Sequence, residues 1–252
     1  MSETSTVARL IRRTLPILEQ TPPLDEREPV ISANKVTGAS INVPIAGTCK
    51  PSKLCVQDCY AGNNAQSWPS SLRKQARTQR SLESDPIAFA ERVAHEYDAK
   101  RLNYLRWNGV GDLTPSAVIS INHLIETRPD MVLWIVTRIP ELAARIDHGR
   151  FAFLHFSLDR HSMSRREEFI ANNPKSRNFF FSYQCEKGEI APNGAEIGVS
   201  VIFYKRYKIS SGGSRMDEAL CPLNLLDDCT SACASCRRCF NGKAVSMRGQ
   251  RT

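Results

Sequence analysis

The chain lacks any apolar run approaching the ~20 residues that a membrane helix needs. Its first residues, MSETSTVARLIRRTLPILEQ, hold no apolar stretch followed by small cleavage-site residues. Neither a membrane span nor secretion is expected, and the expected compartment is the cytoplasm. Internal repeats and low-complexity tracts are missing too. There is no phosphate-binding P-loop and no G-x-G-x-x-G dinucleotide fingerprint, because Asn108-Gly109-Val110-Gly111 is too short for either. No Ser/His/Asp triad can be read from spacing, and His155 and His161 read as packing or rim residues.

What is present fits one soluble domain, or one domain with a small appendage. The chain has 252 residues, 41% hydrophobic and 24% charged, so it can bury a full core without covalent staples. In a reducing compartment its nine cysteines point to metal binding rather than disulfides. A formal charge of +8 suits an anionic partner such as nucleic acid or a nucleotide, and suits a solvated surface equally well.

Three regions are expected: an irregular, Pro-rich lead-in over residues 1–39, a partial (β/α) barrel with a cysteine loop over 40–210, and a Cys-rich metal-binding tail over 211–252. In the middle region six almost continuously apolar runs read as parallel strands: Ser40–Ile45, Tyr104–Asn108, Met131–Thr137, Phe151–Ser157, Asn178–Tyr183 and Ile197–Tyr204. Between them Pro86, Pro115 and Pro140 stand where first helical turns would begin. Val118, Ile121, Leu124 and Ile125 then line one helical face, as do Leu142, Ala143 and Ile146, with Gly149 as a stop. Alternating strands and helices give right-handed βαβ units. About six parallel strands in a partial barrel is the expected architecture, with an open doubly wound sheet as the other arrangement.

In either arrangement a site belongs beyond the carboxyl ends of the strands. There the sequence delivers Trp107-Asn108-Gly109-Val110-Gly111-Asp112, Thr137-Arg138, Ser157-Leu158-Asp159-Arg160-His161, Gln184-Cys185-Glu186 and Lys205-Arg206. The first strand leads into TCKPSKLCVQDCYAG, with Cys49, Cys55 and Cys59. Three thiolates in one loop can hold three irons of a 4Fe–4S cluster and leave the fourth iron open. Structural zinc takes four ligands, and no fourth Cys or His lies in this loop, although Cys185 could close the set if it reached the rim. The tail CPLNLLDDCTSACASCRRCF supplies Cys221, Cys229, Cys233, Cys236 and Cys239 without a histidine. That excludes a mixed Cys/His zinc site and leaves an Fe–S cluster, or an all-Cys zinc site as the alternative. Arg237 and Arg238 lie within that cysteine motif, and Lys243, Arg248 and Arg251 follow. Arg73, Lys74, Arg77 and Arg80 lie earlier at helical spacing. Both sets could contact phosphates, or form a solvated face and tail.

These motifs, together with LRWNGVGDL and WIVTRIPEL, resemble the phage protein family called gene product 88, over about Ile41 to Phe240. The order of elements is also similar to the radical S-adenosylmethionine superfamily. That resemblance implies a partial (β/α) barrel in which Cys49, Cys55 and Cys59 ligate the cluster. It implies that Gly109, Gly111 and Asp112, with Asn108 beside them, meet the methionine end of S-adenosylmethionine, and that Ser157 and Asp159 offer polar groups to the cofactor. One or two 4Fe–4S clusters, an external electron donor and an anionic, nucleic-acid-derived substrate would follow. The usual spacing in that superfamily is C-x3-C-x2-C with an aromatic before the last cysteine. Here the spacing is C-x5-C-x3-C, and Tyr60 follows Cys59. A different class is a non-catalytic Fe–S or zinc protein that binds nucleic acid. A third is a hydro-lyase whose open iron acts on a small hydroxy acid.

Overall fold

A computed structural model describes residues 6–34, 37–57, 59, 61, 67–172, 178–186, 189–190 and 192–204. Lys205, Arg206 and the expected Cys-rich tail, with Cys221, Cys229, Cys233, Cys236 and Cys239, lie outside these residues. The elements in chain order are α1 (Thr6–Gln20), β1 (Ser32–Asn34), β2 (Gly38–Asn42), α2 (Lys53–Gln57), α3 (Pro69–Ser84), α4 (Pro86–Ala99), β3 (Leu105–Val110), α5 (Pro115–Thr127), β4 (Leu133–Thr137), α6 (Pro140–Ala143), β5 (Ala152–Leu158), α7 (Arg165–Asn172), β6 (Phe179–Cys185), α8 (Gly194–Ile197) and β7 (Val201–Tyr204).

Each of the six apolar runs overlaps a strand, and the six pair in parallel in the order in which they occur, β2 to β7. Consecutive order excludes the doubly wound alternative, whose strand order must reverse. The sheet is not a closed barrel. The short antiparallel strand β1 pairs with β2 through Ser32↔Ser40 and Asn34↔Gly38, taking the edge that closure would need. The result is an open, seven-stranded, mostly parallel sheet.

Right-handed crossovers in one direction place the connecting helices on one side. Ile41, Leu105, Trp107, Leu133, Ile135, Leu154, Phe156, Phe181 and Ile202 join Phe89, Val93, Ile121, Leu124 and Phe169 in the main core. Phe169 packs against Phe156 and Phe181 with ring centroids 4.6 and 5.4 Å away. The alternate residues face the other way. On that second face Tyr104, Trp134 and Phe153 form a small apolar cluster toward the amino ends of the strands. Arg106, Asn108, His155, Ser157, Ser182 and Gln184 follow toward the carboxyl ends.

Prolines and caps set the helix starts. Asp85 accepts from the N–H groups of Ile87 and Ala88, and Thr114 from that of Ala117, each just before a proline at the first helical position. The segment after Pro140 is helical only to Ala143. It then tightens into i→i+3 bonds from Arg145 to Leu142 and from Ile146 to Ala143, well short of Gly149.

The lead-in differs from expectation. Thr6–Gln20 is a 15-residue helix with Pro16 inside it. Its Leu10, with Ile11 and Ile17, packs against Leu72, Ile45 and Cys59, and this apolar seam offsets the proline. Residues 21–31, which hold the TPPLDEREP stretch, are irregular but tied down. Arg77 donates to Glu28 at 2.6 Å and to the Pro23 carbonyl at 3.0 Å, and Arg80 donates to the Leu18 carbonyl at 3.2 Å. Lys74 reaches the Pro29 carbonyl. The Glu96 carboxylate accepts from the N–H groups of Val30 and Ile31. Three of the four basic residues expected to meet phosphates on α3 thus hold the chain's own backbone.

Candidate functional site

A cleft of about 210 Å3 opens on the second face of the sheet at its carboxyl ends. Cys49, Cys55 and Cys59 line it from the β2–α3 connection, Asn108, Gly111 and Asp112 from the end of β3, and Thr137 and Arg138 from the end of β4. Ser157 and Gln184 come from β5 and β6, while Arg106 and His155 line it lower on their strands.

Short tethers hold the cysteine loop against the rim. Gly47 turns the chain with φ +80°, and the Cys49 N–H returns to the Ile45 carbonyl at 3.2 Å. The Thr48 hydroxyl donates to the Pro44 carbonyl at 2.5 Å and accepts from the Asp112 N–H at 3.1 Å. Ser52 accepts from the Cys55 N–H at 3.1 Å and donates to Asp159. Two of these tethers reach other strand ends, Thr48 to Asp112 after β3 and Ser52 to Asp159 after β5.

Asp112 is buried at the centre of the rim. Its Oδ1 accepts from the Thr137 hydroxyl at 2.6 Å and the Leu113 N–H at 2.8 Å, and its Oδ2 from the Arg138 N–H at 3.1 Å. Burial nevertheless outweighs these bonds and raises its pKa to about 6. Burial, then Asp112, then Cys55 hold the Cys49 thiol well above its ordinary value. Asp159, with no exposed surface, behaves oppositely. Burial would raise it, but hydrogen bonds from Ser52 and Arg138 and the charge of Arg138 hold it below the usual carboxylate value. The Arg138 guanidinium spans Asp159 at 3.0 Å, Ser157 at 3.3 Å and Gln184 at 3.4 Å, linking three strand ends.

His155 is fully committed. Trp134 Nε1, a donor only, lies 3.1 Å from Nδ1, so Nδ1 accepts and the proton sits on Nε2, which donates to Ser182 Oγ at 2.6 Å. Burial, then the charges of Arg106 and Arg138, lower its pKa to about 3. It is a neutral, oriented wall residue rather than an acid or base.

Of the residues expected from sequence, Cys49, Cys55, Cys59, Asn108, Gly111, Asp112 and Ser157 meet at this cleft, and Gly109 and Asp159 do not line it. Gly109 is needed for close approach: a Cβ there would run into the Asn42 carboxamide and the Ser40 hydroxyl. Asp159 lies behind Ser52 and Arg138. Cys185 sits on the helix-covered face in the main core, 1% exposed, and lines no part of the cleft. Arg138 and Gln184 were expected on the rim without a role and His155 as a packing or rim residue, whereas Arg106 was not expected at all. Their signal was a polar residue two positions from another inside an apolar strand: Arg106 with Asn108, His155 with Ser157, Ser182 with Gln184.

Among the described residues, no group of three His, Cys, Asp or Glu side chains is arranged to hold a metal ion. The donor chemistry still suits one. Three thiols line one volume, and the burial and neighbouring Asp112 that oppose ionisation of Cys49 are what a cationic centre would offset. The four described cysteines form no disulfide.

Fold and cleft together define an α/β protein with a cysteine-lined site at the carboxyl ends of a parallel sheet. The chain belongs to the gene product 88 family, which it matches over residues 8–242. No curated protein and no solved structure matches it.

Proposed function

We propose that the protein is an iron–sulfur enzyme of the radical S-adenosylmethionine type acting on an anionic substrate. The observation that carries this reading is that Cys49, Cys55 and Cys59 share one cleft with Asp112 and Ser157. The consecutive parallel order of β2 to β7 supports it, being the order that a partial (β/α) barrel would use. Cys49, Cys55 and Cys59 would hold a 4Fe–4S cluster with one iron left without a protein ligand. When bound, the cluster supplies the electron that cleaves S-adenosylmethionine, chemistry no side chain provides. Asp112, ionising near pH 6, would take the cofactor's amino group, and Ser157 would offer a hydroxyl beside it. Arg138 would fix both, through its backbone N–H to Asp112 and its guanidinium to Ser157. The tail cysteines would hold a second cluster or zinc, and an external donor would deliver the electron. The rival reading, a metal-stabilised nucleic-acid-binding module, has less support because Lys74, Arg77 and Arg80 already hold the chain's own backbone.

Iron and sulfide analysis of anaerobically prepared chain, with EPR of the reduced protein, tests the proposal. About eight irons per chain are expected with a second cluster in the tail and about four with zinc there, and Cys49→Ala should remove about four in either case. The signal of the unsubstituted chain should shift when S-adenosylmethionine is added, and Asp112→Ala should abolish the shift. Zinc in place of iron, or a signal indifferent to S-adenosylmethionine, overturns it.

A further inference from the structure

We infer that the cleft, from Arg106 low on β3 up to Gln184 at the end of β6, binds a small carboxylic acid through these two residues, and that Asn108 selects acids bearing a hydroxyl or amino group beside the carboxylate. This deepens the proposed function by naming a substrate class, and rests on that reading only in treating the acid as a substrate.

Three polar atoms in this cleft have no protein partner among the described residues: Arg106 Nε, Gln184 Nε2 and Asn108 Oδ1, each buried. Arg106 lies two positions before Asn108 on β3, so both project from the second face. Its guanidinium stands 4.6 Å from the centroid of the Trp134 ring. It forms no ion pair with a carboxylate among the described residues, whereas Arg138 is taken up by Asp159. Gln184 is 6% exposed, and its Oε1 is held by Arg138 at 3.4 Å, so Nε2 remains as a donor. Asn108 is 3% exposed, and its Nδ2 is held by the Val136 carbonyl at 2.8 Å, so Oδ1 remains as an acceptor. His155, neutral and used by Trp134 and Ser182, brings no competing group.

The cleft therefore presents one cation, one neutral donor and one acceptor. A guanidinium and an amide N–H suit a carboxylate. A bare anion would leave Asn108 Oδ1 buried and unpaired, an unfavourable state that a hydroxyl or amino hydrogen next to the carboxylate relieves. A phosphate dianion would bring more charge than one guanidinium balances.

The test titrates the full chain with lactate, propionate and inorganic phosphate, read by calorimetry and by the fluorescence of Trp134, which stacks beneath Arg106. Lactate should bind about tenfold more tightly than propionate, the worth of one buried hydrogen bond, and phosphate more weakly than either. Asn108→Gly, which keeps the positive φ of 64° accessible, should erase the lactate preference and leave propionate affinity unchanged. Arg106→Gln should lose both acids, and Arg106→Lys should restore part of the affinity. Should Arg106→Gln fail to fold by circular dichroism, Gln184→Leu, expected to weaken both acids about tenfold, tests the same site. Equal affinity for lactate and propionate, phosphate binding most tightly, or acids indifferent to these variants overturns the inference. S-adenosylmethionine is titrated into the same samples. Acid binding without cofactor binding sinks the proposed function alone, and cofactor binding without acid binding sinks this inference alone.

Discussion

Gly111 and Asp112 stand together at the end of β3, and each residue is specified by its surroundings. Gly111 has φ +82°, and a Cβ on it would lie 2.5 Å from the Val43 carbonyl oxygen. Side chains rarely adopt that backbone conformation, and the obstacle here is backbone that cannot rotate away. Gly111→Ala should destabilise the fold by about 2–4 kcal/mol, measurable as a lower denaturant midpoint with an unchanged m-value. A wild-type midpoint would show that β2 and β3 can separate at this point. The glycines were legible in the sequence as a turn beside a carboxylate. Their structural reason, contact with Val43 for Gly111 and with Ser40 and Asn42 for Gly109, was not, because strand neighbours distant in sequence set it. Arg138 was visible as a strand-end residue, yet its reach to Asp159, Ser157 and Gln184 depends on two later segments, the ends of β5 and β6, meeting it.

At the scale of elements, the strands and the starts of α4, α5 and α6 were legible because their signals are local. An apolar run bounded by polar residues needs no partner to be seen, and a proline at a first helical turn needs none either. α1 was not, because Pro16 and the proline-rich stretch after it outweigh a short apolar stripe. Its stability comes from Leu72 and Ile45 on other elements. The basic row of α3 has a role inside the fold as well as a charge. Arg77 is the clearest case, bound at once to Glu28 and the Pro23 carbonyl. Arg77→Ala should lower stability by about 1 kcal/mol, because the pair is partly exposed. It should also speed hydrogen exchange at the Val30 and Ile31 amides, while nucleic-acid affinity in a filter or fluorescence assay stays at the wild-type value. A large loss of nucleic-acid affinity with unchanged exchange would return α3 to the role its charge suggests.

For the whole molecule, two groups of the cleft pull the pH dependence of stability in opposite directions. The folded pKa of His155, about 3, lies below its ordinary 6.5, so the unfolded chain binds the extra proton and stability falls as pH drops from 6.5 toward 3. The folded pKa of Asp112, about 6, lies above its ordinary 3.8, so here the folded chain binds the extra proton and stability rises as pH drops from 6 toward 4. The His155 shift is the larger, so acid should weaken the protein overall. In His155→Gln the Asp112 contribution remains, and the chain should then gain stability, by an amount on the order of 2 kcal/mol, between pH 6 and 4. Denaturant melts across that range check the sign. A variant that still weakens toward pH 4 would place the acid-sensitive group elsewhere.

The strand order has a consequence for how the protein comes into being. Every strand from β3 onward pairs with the one synthesised just before it, so the sheet can lengthen at a single edge in step with translation. The cysteine loop leaves the ribosome early, whereas Arg138, Ser157 and Gln184 arrive one strand at a time. Until β6 has joined, the three thiols stand in front of an unfinished wall, open to solvent and to whatever loads them.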